Sequence, residues 1–160
     1  MIKNILAAAL LIAATFTTVS AAELTAKKAL NLAVAKEIAA AAEAHARMNN
    51  WNVIITILDD GGNMLYMQRM DGAQIGSIDV SRRKAESAIK FKRPTKAFAD
   101  IISANPGIAM LPGAIANEGG LPITVDGDII GSIGISGVTS QQDGMIAQAG
   151  VDALPRILGQ

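Results

Sequence analysis

Apolar positions recur at three- and four-residue intervals through Leu30, Val34, Ile38, Ala41, His45 and Met48, with Lys36, Glu37 and Glu43 off that stripe. This spacing predicts an amphipathic helix running from just after Thr25 to Met48 and stopped by Asn49-Asn50. The run Val53 to Leu58 is rich in β-branched residues and predicts a strand. Asp59-Asp60-Gly61-Gly62-Asn63 supplies a turn, and Met64 to Met70 returns as a second strand ended by Asp71-Gly72. Ser77 to about Lys92 follows as a helix, with Ser77 as N-cap and Asp79 near its positive end. Pro94 opens a shorter helix reaching Ser103. Three prolines and four glycines between Asn105 and Pro122 indicate loops and short strands. Leu121–Val125 and Ile129–Ser136 flank the turn Asp126-Gly127-Asp128, and a final helix runs from about Gln141 to Leu158. That order predicts an α+β fold in which helices pack on an antiparallel sheet.

The amino end carries a different pattern. Met1 to Asn4 holds one lysine, Ile5 to Ala14 is apolar, and Thr15 to Ala22 is small and polar. This predicts a cleavable secretory leader over residues 1–22, cut after Ala21 or Ala22, and one domain over residues 23–160. A membrane anchor needs about 20 apolar residues, and the threonines begin too early for that. The expected address is the periplasm or the medium, with no membrane attachment after cleavage. There are no cysteines to form disulfides or carry a lipid, so stability must come from the core. A net charge of +0 argues against nucleic-acid binding, and 3% aromatics offer little surface for stacking bases.

Lys84 is the most informative side chain. On a helical wheel it falls in an apolar arc with Ile78, Val80, Ala85, Ala88 and Phe91, while Arg82, Arg83, Lys90 and Arg93 cluster on the other side. A buried ammonium must meet a carboxylate or an anionic ligand, or reach back to the surface. Asp59, Asp71 and Asp143 are the candidate carboxylates. Arg69, in a mostly apolar strand with Met64, Met67 and Met70, likewise suits a carboxylate or an anionic ligand. His45, the one histidine, reads either as a packed imidazole or as an axial ligand to haem or metal. Alone and without cysteine it cannot build a multi-ligand zinc site. The aspartates near 59 and 126 lack EF-hand spacing and read as turns.

Gly131-Ser132-Ile133-Gly134-Ile135-Ser136-Gly137 lacks the dinucleotide-binding order. Alternation places Ile129, Gly131, Ile133 and Ile135 on one face and Ile130, Ser132, Gly134 and Ser136 on the other. The second is a shallow face that admits a close helix, a second subunit or a flat ligand. Ser136 is no nucleophile elbow, because Val138 stands where glycine is needed and no histidine follows.

Taken in order, several segments resemble the GlcG/HbpS-like family, the extracellular haem-binding-protein group. They are Ile57 to Met64, Arg69-Met70-Asp71-Gly72-Ala73, Lys84-Ala85, Gly119-Gly120-Leu121-Pro122-Ile123, and Ile130 to Gly137 with Asp143. The matching motif positions are Asp59, Gly62, Arg69, Asp71, Lys84, Gly120, Pro122, Gly131, Gly134, Gly137 and Asp143. The resemblance implies a profilin-like α/β/α sandwich, a homo-oligomer, and binding of haem or a related tetrapyrrole in some members. Other members occur in glycolate or diol catabolic settings or fused to corrinoid adenosyltransferases. It supplies no universal catalytic residue, and a bis-histidine haem site would require subunits to share His45.

The expected function is therefore an exported, oligomeric, non-enzymatic binder of haem or a similar flat anionic ligand. Lys84, Arg69, Asp59, Asp71 and Ser136 are its candidate ligand contacts, and iron would take a weak ligand such as a Met, a Tyr, a Thr or His45. Two rivals stand beside it. One is an enzyme or accessory factor for a small hydroxy- or keto-acid, with Lys84 or Asp59 as acid/base. The other is an oligomer in which these positions only hold the fold and the subunit contacts.

Overall fold

The computed structural model describes residues 22–160, so the expected leader, apart from Ala22, lies outside the described residues. Helix α1 spans Leu32–Met48, strand β1 Ile54–Asp59, strand β2 Met64–Arg69, helix α2 Ser77–Phe91 and helix α3 Lys96–Ile101. A 3₁₀ turn at Pro106–Met110 precedes strand β3 (Gly120–Val125) and strand β4 (Asp128–Ser136), and helices α4 (Ser140–Asp152) and α5 (Leu154–Ile157) close the chain. The strands form one antiparallel sheet in the order β2-β1-β4-β3. Helix α2 covers one face, and α1, α4 and α5 cover the other. Among the described residues no helix is long and apolar enough to cross a membrane.

The first helix starts later than its periodicity predicts. Asn31 is the N-cap, its side chain accepting from Val34 N at 3.0 Å. Residues 22–30 have no regular structure. Within that stretch Lys27 pairs with Asp60, Lys28 pairs with Asp126, and Leu30 is buried against the sheet. The buried face of α1 is Ala35, Ile38, Ala39, Ala42 and Ala46, which leaves Met48 exposed. Alanine lets the helix approach Gly150 of α4 closely: a methyl added at Gly150 would lie 3.2 Å from Ala42 Cβ and 3.1 Å from Ile38 O.

Two irregularities revise the strand alternation. Ile123 faces Gly131 but Thr124 faces Ile129, so Ile130 is an extra residue bulged out of the ladder. The bulge turns Ile130 into the α1/α4 core and leaves Ile129 packing beside Leu58 and Ile89, the reverse of the expected faces. A second shift, between Ile57 and Leu58, leaves Leu65 without a partner, so Leu65 and Tyr66 both pack against the same core. The β3–β4 turn has positive φ at Asp126 (50°) and Gly127 (85°), which suits the Asp-Gly pair and a twisted hairpin. The predicted last helix breaks at Ala153, because Pro155 lacks an N–H and is accommodated in the first turn of α5.

Ser77 does not act as a cap. Gly76 occupies that position without a side-chain bond, and Ser77, fully inside, shares a 3.1 Å hydrogen bond with Ser136 instead. Two further hydroxyl contacts tie α2 to the sheet. Thr56 and Ser81 share one at 2.8 Å, and Ser132 donates to Ala85 O at 2.8 Å, while Ser81 also lies 3.0 Å from Ile78 O within the helix. At their centre, a methyl added to Gly134 would lie 2.0 Å from Ser81 O and 2.6 Å from Ala85 N. Gly134→Ala should therefore force α2 off the sheet and cost about 1–3 kcal/mol. Gly76→Ala, with φ −58° and open space around it, should be neutral or stabilise by about 0.4–1 kcal/mol. Thermal unfolding of the two variants beside the parent checks both signs.

Candidate functional site

The hydroxyl and glycine face of β4 is closed by α2, so Ser136 is buried and committed to Ser77, and no flat ligand shares that face. Lys84 projects from the same helix toward the point where β3 stops pairing. Its side chain is 1% exposed. The ammonium lies 2.7 Å from Asp143 Oδ2 on α4 and donates to Ile135 O at 2.9 Å. Asp143 Oδ1 in turn accepts from Val138 N at 3.3 Å. Of the three candidate carboxylates, Asp143 is the partner.

The local backbone explains the geometry. Ile135 N donates to Gly119 O at 2.9 Å, and then the chain bends at Gly119, whose φ is +119°. Ile135 O is thereby left without a strand partner, and Lys84 supplies the missing donor. A methyl on Gly119 would lie 2.9 Å from Lys84 Nζ, 2.9 Å from Ile135 O and 2.8 Å from Asp143 Cβ, so the bend admits only glycine. Gly119 was readable as half of a Gly-Gly pair before a strand, but its role depends on three distant residues. Burial pushes the Lys84 ammonium below its ordinary value, against the pull of Asp143. Burial likewise pushes Asp143 up, opposed by Lys84 and the backbone amides of Val138 and Gly137. Desolvation is thus the largest influence on both groups, and the pair's value lies in mutual satisfaction.

Outside this pair lies a groove of about 310 Å³ formed by Pro94, Lys96, Glu118, Gly120, Leu121, Gly144, Met145 and Gln148. Gly120 and Gly144 contribute no side-chain bulk. A methyl on Gly120 would strike Lys84 O at 2.3 Å, and one on Gly144 would strike Glu118 at 2.5 Å. Lys96 at the rim bonds Asp100 at 2.7 Å and lies 3.9 Å from Glu118. The neighbouring stretch of α3 and the 3₁₀ turn exposes Ile101, Leu111 and Met110, the last at 83%. Sequence reasoning named Gly120 as a motif position but took none of these as a ligand contact, because their proximity arises only when α3, β3 and α4 meet.

The other candidates lie elsewhere. Arg69 is exposed at the end of β2 and donates to Ala73 O at 3.1 Å, while Asp71 is exposed in the following turn. Asp59 Oδ1 accepts from Gly61 N at 2.9 Å and Asn63 N at 2.8 Å, and the Asn63 amide donates to both carboxylate oxygens. Burial draws Asp59 upward, but these donors together with Gly62 N hold it below its ordinary value. His45 sits half-buried on α1 with its ring 6.2 Å from that of Trp51. The structure does not gather Lys84, Arg69, Asp59, Asp71, Ser136 and His45 into one pocket. Acid/base chemistry at Lys84 or Asp59 finds one group sealed from solvent and the other occupied by its own loop. Among the described residues no cluster of three or more His, Asp or Glu side chains could hold a metal.

A four-stranded antiparallel sheet with one long helix across one face and three helices on the other defines an α+β sandwich of the profilin-like class. The chain belongs to the HbpS-like family, described as haem degrading protein HbpS-like, whose model matches residues 30–152. It is 36% identical over 135 residues to an uncharacterized 15.0 kDa protein of the dhaT-dhaS intergenic region of Citrobacter freundii, covering 80% of this chain and 94% of that one. It is also 36% identical over 111 residues to protein GlcG of Escherichia coli K12, covering 69% of this chain and 83% of that protein. The structure of a Streptomyces reticuli HbpS double mutant superposes with TM-score 0.76 at 32% identity, over 89% of this chain and 98% of that one. That of a PduOC:heme complex does so with TM-score 0.72 at 27% identity, over 79% and 95%.

Lys84→Met or Asp143→Leu alone should cost about 3–5 kcal/mol by stranding a buried charge, whereas the double variant should recover much of the loss. A urea-denaturation double-mutant cycle measures the coupling. The lowered Asp59 means that the folded state stays ionised where the unfolded chain has taken up a proton. Its stabilising contribution is present above the ordinary aspartate value and is lost as pH falls through the folded one. Asp59→Asn should therefore flatten the fall of the urea midpoint between about pH 5 and about pH 3.

Proposed function

We propose that the mature chain is an exported, homo-oligomeric binding protein for haem or a related flat anionic tetrapyrrole, acting without catalytic turnover. The observation that carries this reading is the superposition on a chain crystallised as a heme complex, extending over 79% of this chain. The side chains around the groove suit such a ligand in kind. Gly120, Leu121 and Gly144 offer an apolar wall with little bulk, Lys96 offers a cation to a carboxylate, and Met145 offers an exposed thioether. When bound, haem would supply the iron chemistry, and this chain's part is to hold the ring and its carboxylates.

Export is supported by the basic, apolar and small-residue order of residues 1–22. Assembly is supported by the exposed Ile75, Ile101, Met110, Leu111 and Met145, which a second subunit or a ligand would cover. Titration of the mature protein with hemin should give a saturable Soret shift at micromolar protein. The bound spectrum should then persist in the presence of ascorbate, and Lys96→Ala should weaken binding. An unshifted, non-saturating Soret band would overturn the reading, and bleaching of the bound band would overturn its non-catalytic part.

A further inference from the structure

The C-terminal turn of α1 carries donors that neither the buried pair nor the groove uses. His45 and Met48 are three residues apart on this helix, a spacing that sets their Cβ atoms roughly 5–6 Å apart on one side. Among the described residues the His45 ring nitrogens have no hydrogen-bond or ion-pair partner. Because no buried side-chain nitrogen or oxygen among the described residues lacks a partner, those nitrogens face solvent. Met48 ends the helix at 75% exposure, and its thioether is free to turn. Trp51 closes one side, its ring 6.2 Å from the imidazole at 52°, and its backbone is pinned by Trp51 N donating to Ala46 O at 2.9 Å. The nearest carboxylate on the helix, Glu43, is already held by Arg47 and Gln68.

We propose that His45 and Met48, backed by the Trp51 indole, form a surface site for a soft monovalent metal ion, Cu(I) in particular. A thioether and an imidazole select a soft cation of low coordination number. They lack the charge and the ligand count that zinc or calcium require. The indole adds an aromatic face on which a cation is stabilised. In a chain without cysteine, methionine and histidine are the soft donors available. The site is independent of the tetrapyrrole reading, since it lies on α1 and shares no residue with the groove.

Trp51 is the single tryptophan of the chain, so its emission reports on this site directly. Silver(I) in chloride-free buffer, and Cu(I) kept reduced with ascorbate and competed against bicinchoninate, should each quench it and saturate at one equivalent. His45→Ala and Met48→Leu should each weaken binding about tenfold or more with unchanged circular dichroism. Met64→Leu, at another exposed methionine, should titrate like the parent. Absence of saturable quenching and competition, or a Met48→Leu variant that binds as tightly as the parent, would overturn the proposal.

Discussion

An ammonium and a carboxylate taken out of water are stable only together, and here they join the two helical layers past the border of the sheet. Lys84 comes from the helix on one face and Asp143 from a helix on the other. They meet where β3 has turned away at Gly119 and the Ile135 carbonyl is left without a donor from that strand. Both charges carry a desolvation cost, so the pair adds little net energy. Its effect is on position: any displacement of α2 relative to α4 would leave a charge and a strand carbonyl unsatisfied.

That constraint works with the close packing beside it. Gly134 and the hydroxyls of Thr56, Ser81, Ser132 and Ser136 let α2 lie against the strand backbone, leaving no room for another occupant. The chemistry open to this molecule is therefore pushed outward. It lies in the groove bounded by α3, β3 and α4, on the apolar segment after α3, and at the exposed end of α1. Of the motif positions that carry the family resemblance, Lys84, Gly120, Gly131, Gly134 and Asp143 are buried, and Lys84, Gly134 and Asp143 hold the frame on which those surfaces are displayed.

Family membership and the fit to the HbpS and PduOC:heme structures give this frame a context. Protein GlcG and, over 32% of its length, the corrinoid adenosyltransferase PduO of Salmonella typhimurium are similar to this chain in sequence.

Much of the architecture was legible in local pattern. The β-branched run at Val53–Leu58, the Asp-Gly turn at Asp126-Gly127 and the boundaries of α2 follow from residue preferences that act within a few positions. The burial of Lys84 was legible too, since a charge inside an apolar arc requires a partner. Which partner was not, because Asp143 lies 59 residues away and only the packing of α2 and α4 against one sheet brings it to 2.7 Å. The swapped faces of Ile129 and Ile130 came from a bulge, which pairing creates and no single strand encodes. Ser77 read as an N-cap, yet it lies buried in the interface beside Ser81, because hydroxyl partners on the sheet satisfy both. By itself the sequence determined the elements, their order and the need for a counter-charge. The tertiary structure decided which distant residues meet, because contact between them depends on how whole layers settle against one another.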